Sequence, residues 1–268
     1  MSNVIKDLAD KPKYDMDDLL TVMRILREKC PWDREQTHES IRKNLIEEAY
    51  EVAEAIDERD ADMLAEELGD LLLQVVFHAE IERGVFDFSD VCDGICRKLV
   101  MRHPHIFSDT QAGTSEQVLA NWEDIKKDEK RHVTYSQTVE AVPKSLPGLM
   151  RAQKMASRAA KCGFDRQGID GVLDKLAEEV DEFRRAVKSG DANHAREELG
   201  DVFMAAANAA RFMDADAEEV LAGSCEKFSG RFGLMERLAE AEGFRLDELD
   251  DVQLDRLWEQ AKSAETQQ

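Results

Sequence analysis

Leu45 to Ile81, LIEEAYEVAEAIDERDADMLAEELGDLLLQVVFHAEI, occurs twice in this chain. Moved along by 131 residues, it lies without a gap on Leu176 to Phe212, LAEEVDEFRRAVKSGDANHAREELGDVFMAAANAARF, with 13 of 37 positions identical. The identities cluster. Glu47, Glu48, Glu51, Glu66, Glu67, Leu68, Gly69 and Asp70 return as Glu178, Glu179, Glu182, Glu197, Glu198, Leu199, Gly200 and Asp201. What the two copies share is a pattern of carboxylates.

Apolar residues at Leu45, Ala49, Val52 and Ile56, and again at Leu64, Leu68, Leu71, Leu72 and Val75, recur at intervals of three and four. Each flank therefore reads as an amphipathic helix, and the pair as a helical hairpin. Glu48 and Glu51 share one face of the first helix, and Glu67 and Asp70 one face of the second, because residues three apart are neighbours on a helix. In an antiparallel hairpin, residues equidistant from the turn lie side by side. Glu48 with Asp70, and Glu51 with Glu67, are each equidistant from Arg59; Glu179 with Asp201, and Glu182 with Glu198, from Gly190. Four carboxylates are thus predicted to converge, twice over.

Such a cluster repels itself and raises its own pKa values unless a cation enters it. An all-oxygen donor set suits Mg²⁺, or Mn²⁺ in its place, and Mg²⁺ held by few carboxylates completes its shell with water and substrate phosphate. Acidic helix faces are also common as plain solvated surface. The recurrence at matched positions favours a metal site. Gly69 and Gly200 interrupt strong helices at a cost of ~1 kcal/mol relative to alanine, which predicts close helix approach there.

Glu-Glu-x-x-Glu followed by Glu-x-x-Asp on a hairpin resembles the MazG family of nucleoside triphosphate pyrophosphohydrolases. Lys29-Cys30-Pro31-Trp32-Asp33 before the first hairpin and Arg102-His103-Pro104-His105-Ile106-Phe107 after it resemble the tandem-domain members. The resemblance implies an all-α, Mg²⁺-dependent enzyme that cleaves NTPs and dNTPs to the monophosphate and pyrophosphate, as a homodimer. It further implies that Glu179, Glu182, Glu198 and Asp201, and equally Glu48, Glu51, Glu67 and Asp70, hold the metal, and that Lys175 contacts substrate. The counterpart of Lys175 in the first copy is Asn44, so the second half is expected to carry the chemistry and the first to be regulatory or differently selective.

After each hairpin comes Lys-x-x-x-Arg, Lys98 with Arg102 and Lys227 with Arg231. These place two cations on one helical face, and they match the family's phosphate contacts. Trp122 and Trp258 stand at equivalent places late in each half. Either a base stacks on such a ring or the ring packs in the core. Glu178 and Glu47, the extra glutamates of the motif, are either the general base for an attacking water or exposed, non-ligating residues.

Rival chemistries find no support. Gly163 to Gly168 has the glycine spacing of a phosphate-binding loop but lacks the Lys and Ser or Thr that must follow. Glu35 to His38, with the Glu-x-x-His spacing of a di-iron bundle, lies outside both hairpins. The remaining alternative is an acidic helical regulatory or partner-binding protein without catalysis.

The chain of 268 residues carries a formal charge of −22, which disfavours binding to nucleic acid. Five cysteines without paired spacing fit a reduced cytoplasm. No apolar run is long enough for a membrane span, and the N-terminus carries no targeting pattern. Further helices are predicted at about 16–28, 87–103, 114–130, 149–161, 217–242 and 246–264. Loss of periodicity over 131–147 marks a linker between two helical-bundle domains, 1–130 and 148–268. Lys161-Cys162-Gly163-Phe164-Asp165 echoes Lys29-Cys30-Pro31-Trp32-Asp33, so the duplication extends beyond the hairpin.

Overall fold

A computed structural model describes residues 2–108, 114, 134–165 and 168–265. The protein is all-α, with no strand among the described residues. It divides into two compact units, Met1–Lys126 and Lys127–Gln268.

In the first unit the hairpin is α4 (His38–Glu58) and α5 (Ala61–Ile81), preceded by α1 (Ser2–Ala9), α2 (Met16–Lys29) and α3 (Pro31–Glu35) and followed by α6 (Phe88–Arg102) and α7 (Pro104–Phe107). Each long helix starts on a side chain that satisfies orphan backbone N–H groups. Asp15, Thr37 and Asp87 form capping boxes with Asp18, Ser40 and Asp90, and Asp60 accepts from Asp62 and Met63. Helix α4 ends at Arg59, whose φ of 58° is left-handed and whose N–H reaches the carbonyls of Ala55 and Ile56. The turn is thus centred where the carboxylate symmetry put it. Met23, Ile41, Val76 and Phe77 form the core cluster of this unit, and Leu19, Leu20, Leu72 and Leu73 pack against it.

The second unit repeats the hairpin as α10 (Gly168–Ser189) and α11 (Ala192–Phe212), turning at Gly190 with φ 79° and capped by Asp191. Before it come α8 (Tyr135–Glu140) and α9 (Gly148–Ala160); after it come α12 (Ala217–Ala241), a 3₁₀ turn (Leu246–Glu248) and α13 (Asp251–Glu265). The start of α9 is held by Glu218, which accepts from the N–H groups of Leu149 and Met150, and Gln153 bridges Ala215 and Ala217. A second core cluster, Met235, Ala239, Leu257 and Ala261, joins α12 to α13. The two hairpins bury the same positions, Ala55 and Ala186, then Val76 and Ala207.

Several expectations need correcting. Packed structure reaches into 131–147, since α8 is helical, Val142 is buried and Arg158 donates to the Thr138 carbonyl. A six-residue helix is too short to show a 3.6-residue period. The domain limits of 130 and 148 remain a proposal. The last helix starts at Asp251 rather than near 246, because the first residues form the 3₁₀ turn. Helices α1, α3 and α7 add to the predicted set. Nothing lies within 4 Å of a Cβ built on Gly69 or Gly200, so neither glycine marks close approach within the chain. Residues 115–130, including Trp122, lie outside the described residues.

Arg59 and Gly190 occupy one turn with different conformational costs. A left-handed non-glycine residue is strained by ~1 kcal/mol or more, partly offset by the unfolded-state entropy that glycine adds. Arg59→Gly should therefore stabilise the first unit by roughly 0.5–1 kcal/mol, read as a higher urea midpoint at constant m. A lower midpoint would refute this account of the turn.

Candidate functional site

Both hairpins bring carboxylates together. In the first, ligand-competent oxygens of Glu48, Glu67 and Asp70 all lie within 4.8 Å of one another; in the second, those of Glu179, Glu182 and Glu198 do. Three of each predicted four converge. Glu51 and Asp201 fall outside these groups, although Glu51 acts on both Glu48 and Glu67. An all-carboxylate group of this size fits a hard divalent cation.

The two clusters differ in charge balance. None of Glu48, Glu51, Glu67 and Asp70 has a cationic partner within ion-pair distance among the described residues. Partial burial, then repulsion from Asp70 and Glu51, holds the Glu48 carboxyl above the usual glutamate range. Glu67 is raised in the same way, first by desolvation and then by Glu51 and Glu66. In the second cluster basic side chains already sit among the acids. Lys175 Nζ donates to Glu178 at 3.0 Å and pairs with buried Glu179 at 2.8 Å. Arg185 donates to Glu182 at 3.1 Å, and His194 Nδ1 lies 3.5 Å from Glu198. Hydrogen bonds to Glu179 and Glu178 hold the Lys175 ammonium well above the ordinary lysine range. Sequence reasoning missed Arg185 and His194, whose spacings of three and four from a cluster glutamate were the available signal.

In the first copy Lys43, not Asn44, supplies a cation, and it pairs with Glu47 at 3.0 Å instead of entering the cluster. The one-residue shift in lysine position turns the charge from the metal-competent glutamate to its outer neighbour. Lys98 on α6 and Lys227 on α12 are exposed and make no ion pair among the described residues. Arg102 and Arg231 are half-buried one turn further along the same helices. Trp258 is half-buried, packs against the α12–α13 core, and meets Phe228, the neighbour of Lys227, with ring centroids 5.4 Å apart.

His38 ties the two helices of the first hairpin together. Its Nε2 lies 2.9 Å from Glu82 and its Nδ1 2.7 Å from His78, joining the start of α4 to the end of α5. The open end of the second hairpin is held instead by Arg211, which donates to Asp165 at 2.6 Å.

The description MazG nucleotide pyrophosphohydrolase domain fits residues 36–107 and, a second time, residues 167–232. The chain belongs to the MazG family. Both matches enclose a hairpin with its carboxylates and its Lys-x-x-x-Arg pair. The nucleoside triphosphate pyrophosphohydrolase of Escherichia coli (strain K12) is 43% identical over 257 residues, covering 93% of this chain and 98% of that protein. The nucleoside triphosphate pyrophosphohydrolase/pyrophosphatase MazG of Thermotoga maritima is 43% identical over 253 residues, covering 93% and 96%. The duplication is therefore a tandem of family domains, and the similarity spans both. No helix among the described residues is long and apolar enough to cross a membrane.

Proposed function

We propose that the protein is a nucleoside triphosphate pyrophosphohydrolase that splits NTPs and dNTPs into the monophosphate and pyrophosphate. The observation that carries this reading is the double carboxylate hairpin, within a chain similar over nearly its whole length to proteins bearing that name. Glu179, Glu182, Glu198 and Asp201 would hold Mg²⁺, and Mn²⁺ suits the same donors. Glu48, Glu51, Glu67 and Asp70 form the equivalent site of the first half. Bound Mg²⁺ supplies charge neutralisation on the triphosphate, where negative charge shifts during the reaction.

The chain's own groups do the rest. Lys175, held at the edge of the cluster by Glu178 and Glu179, is placed to exchange a carboxylate for a phosphate oxygen. Lys227 and Arg231 take the outer phosphates, as Lys98 and Arg102 do in the first half, and Trp258 or Trp122 borders the nucleotide. A water attacks the α-phosphorus, the α–β bridging bond breaks, and the water's proton passes to Glu178, or to Glu47 in the first half. The cytoplasm suits a chain whose five cysteines are all unpaired.

A homodimer completes the bundle. Leu68 and Val75 on the first hairpin, and Val187 and Phe203 on the second, are exposed apolar residues, and Gly69 and Gly200 leave open space on the same helices. Covering them with a second copy removes apolar surface from water. Light scattering should give twice the 30.4 kDa chain mass; a single chain mass at micromolar concentration would refute the dimer.

Incubation with each NTP and Mg²⁺, followed by separation of products, tests the reaction. Monophosphate and pyrophosphate are expected in equal amounts. Diphosphate with orthophosphate would relocate the attack, and no turnover of any nucleotide would return the non-catalytic reading.

A further inference from the structure

The open end of the first hairpin carries four polar residues whose counterparts in the second are all apolar. At the repeat offset, His38, Gln74, His78 and Glu82 correspond to Ile169, Ala205, Ala209 and Met213. His38 opens α4, while His78 lies in the last turn of α5 and Glu82 just beyond it. Gln74 stands one turn before His78 on the same face of α5. The set is therefore a feature of one half, away from the carboxylates that both halves share.

The geometry allows the hydrogens to be counted. The two imidazole planes are within 9° of parallel, with centroids 5.0 Å apart and Nδ1 atoms 2.7 Å apart. Stacked rings would have closer centroids, so these meet edge to edge along a straight N–H···N bond, as short as charge-assisted bonds are. That gap holds one hydrogen. His38 Nε2, 2.9 Å from Glu82, carries another, because a carboxylate only accepts. A third hydrogen, the one that makes the pair cationic, has only His78 Nε2 left to occupy. That atom is buried without a partner, and so is the Oε1 of Gln74, a residue only 6% exposed. Donor and acceptor are supplied one helical turn apart.

The charge rests on His38, against Glu82, and His78 stays neutral while its hydrogen moves from Nδ1 to Nε2. Burial first, and then the neighbouring His38, holds the His78 imidazole below the ordinary histidine range, in keeping with that division. Charged groups on the adjoining elements are engaged elsewhere. Arg27 of α2 donates to the Asp33 and Gln36 carbonyls, Arg83 pairs with Glu80, and Asp87 and Asp90 cap α6. Glu39, beside His38, is held below the usual glutamate range first by its own backbone N–H and then by Thr37. Glu82 is the carboxylate in contact with the pair.

We propose that Glu82, His38, His78 and Gln74 form a pH-sensitive clasp that ties α4 to α5 through one added proton, tightest where histidines ordinarily titrate and looser on either side. Above that range the pair is neutral, and His78 Nε2 and Gln74 Oε1 are two buried acceptors without a hydrogen between them. Below it, a second proton would put two hydrogens into one Nδ1···Nδ1 gap. The folded pair thus keeps one proton where two unfolded histidines bind none at high pH and two at low pH. Its contribution to stability is lost as pH rises, because the folded form holds more protons there, and lost as pH falls, because it holds fewer. The second hairpin closes the same end with Arg211 and Asp165, and an arginine–carboxylate pair does not titrate in this range.

Hydrogen exchange of the full-length protein in EDTA, expressed as protection relative to the unstructured chain, reads both hairpin ends at once. Amides in the first turns of α4 should be protected about tenfold better at about pH 6.5 than at about pH 8, the equivalent of one pH unit of proton affinity, while those at the start of α10 stay level. Glu82→Gln keeps the shape and removes the counter-charge, and His78→Phe keeps a ring and removes the shared hydrogen. Each should flatten the difference at α4, with melting curves to show that the variant folds. Nitrogen-15 spectra of the wild-type imidazoles supply a measurement that needs no variant. His78 should carry its hydrogen on Nε2 near pH 6.5 and on Nδ1 near pH 8. A His78 tautomer that does not change, an equal change of protection at both hairpin ends, or a difference that survives in folded Glu82→Gln would overturn the clasp.

Discussion

Glu182→Gln together with Glu198→Gln should abolish nucleotide hydrolysis, lowering kcat/KM by at least about a thousandfold, near 4 kcal/mol of barrier. The matched pair in the other half, Glu51→Gln with Glu67→Gln, should leave most of the turnover in place. Glutamine keeps the shape and removes the charge, so the comparison tests charge at the cluster and not packing. The asymmetry is expected because the second hairpin combines three converging carboxylates, a lysine paired directly to buried Glu179, and an adjoining cavity. In the first, Lys43 is engaged by the outer Glu47, and Phe77, at the position equivalent to Asn208, is buried in the core cluster. Assays on all common NTPs and dNTPs, with melting curves for both variants, decide the matter. If the first pair stops turnover and the second does not, the assignment is reversed and the N-terminal half carries the chemistry.

The hairpins were legible because three independent signals in the residues agree on them. Apolar period marks the helices, the acidic spacing marks which faces meet, and the symmetry of that spacing centres the turns on Arg59 and Gly190. In the structure Asp60 and Asp191 cap the second helix of each hairpin in the same way. What escaped was of two kinds. Helices of four to eight residues, such as Ser2–Ala9, Pro31–Glu35 and Pro104–Phe107, hold too few positions to display a period. Tertiary pairing also escaped: nothing in the spacing relates Arg211 to Asp165, 46 residues away, or His38 to Glu82. The glycines show the opposite error. Gly69 and Gly200 carry a helix-propensity cost that invited a packing explanation, and the space around them is open within one chain.

That difference in charge balance also sets how the protein should respond to metal and to pH. Divalent cation added to chelator-treated protein is expected to raise stability near neutral pH, by about 2.7 kcal/mol at a hundredfold excess over the dissociation constant. Among the described residues no cationic side chain pairs with Glu48, Glu67 or Asp70 of the first hairpin, whereas Lys175, Arg185 and His194 pair with the acids of the second. The first half should therefore dominate the thermal shift even though the second dominates turnover. The pH dependence follows from Glu48 and Glu67, both held above their ordinary value of 4.5 in the folded chain. In the metal-free protein these groups bind more protons folded than unfolded across that window. Their contribution to stability is thus fully present below 4.5 and is lost as pH rises through the raised folded values. Metal requires the ionised carboxylates, so its gain runs the other way and should shrink as pH falls towards about 5. Melting in EDTA and in Mn²⁺, at about pH 5 and about pH 7.5, measures the difference, and Glu48→Gln with Glu67→Gln should remove most of it. A shift of equal size at both pH values, or one that survives in that variant, would show that the first cluster is not where the ion binds.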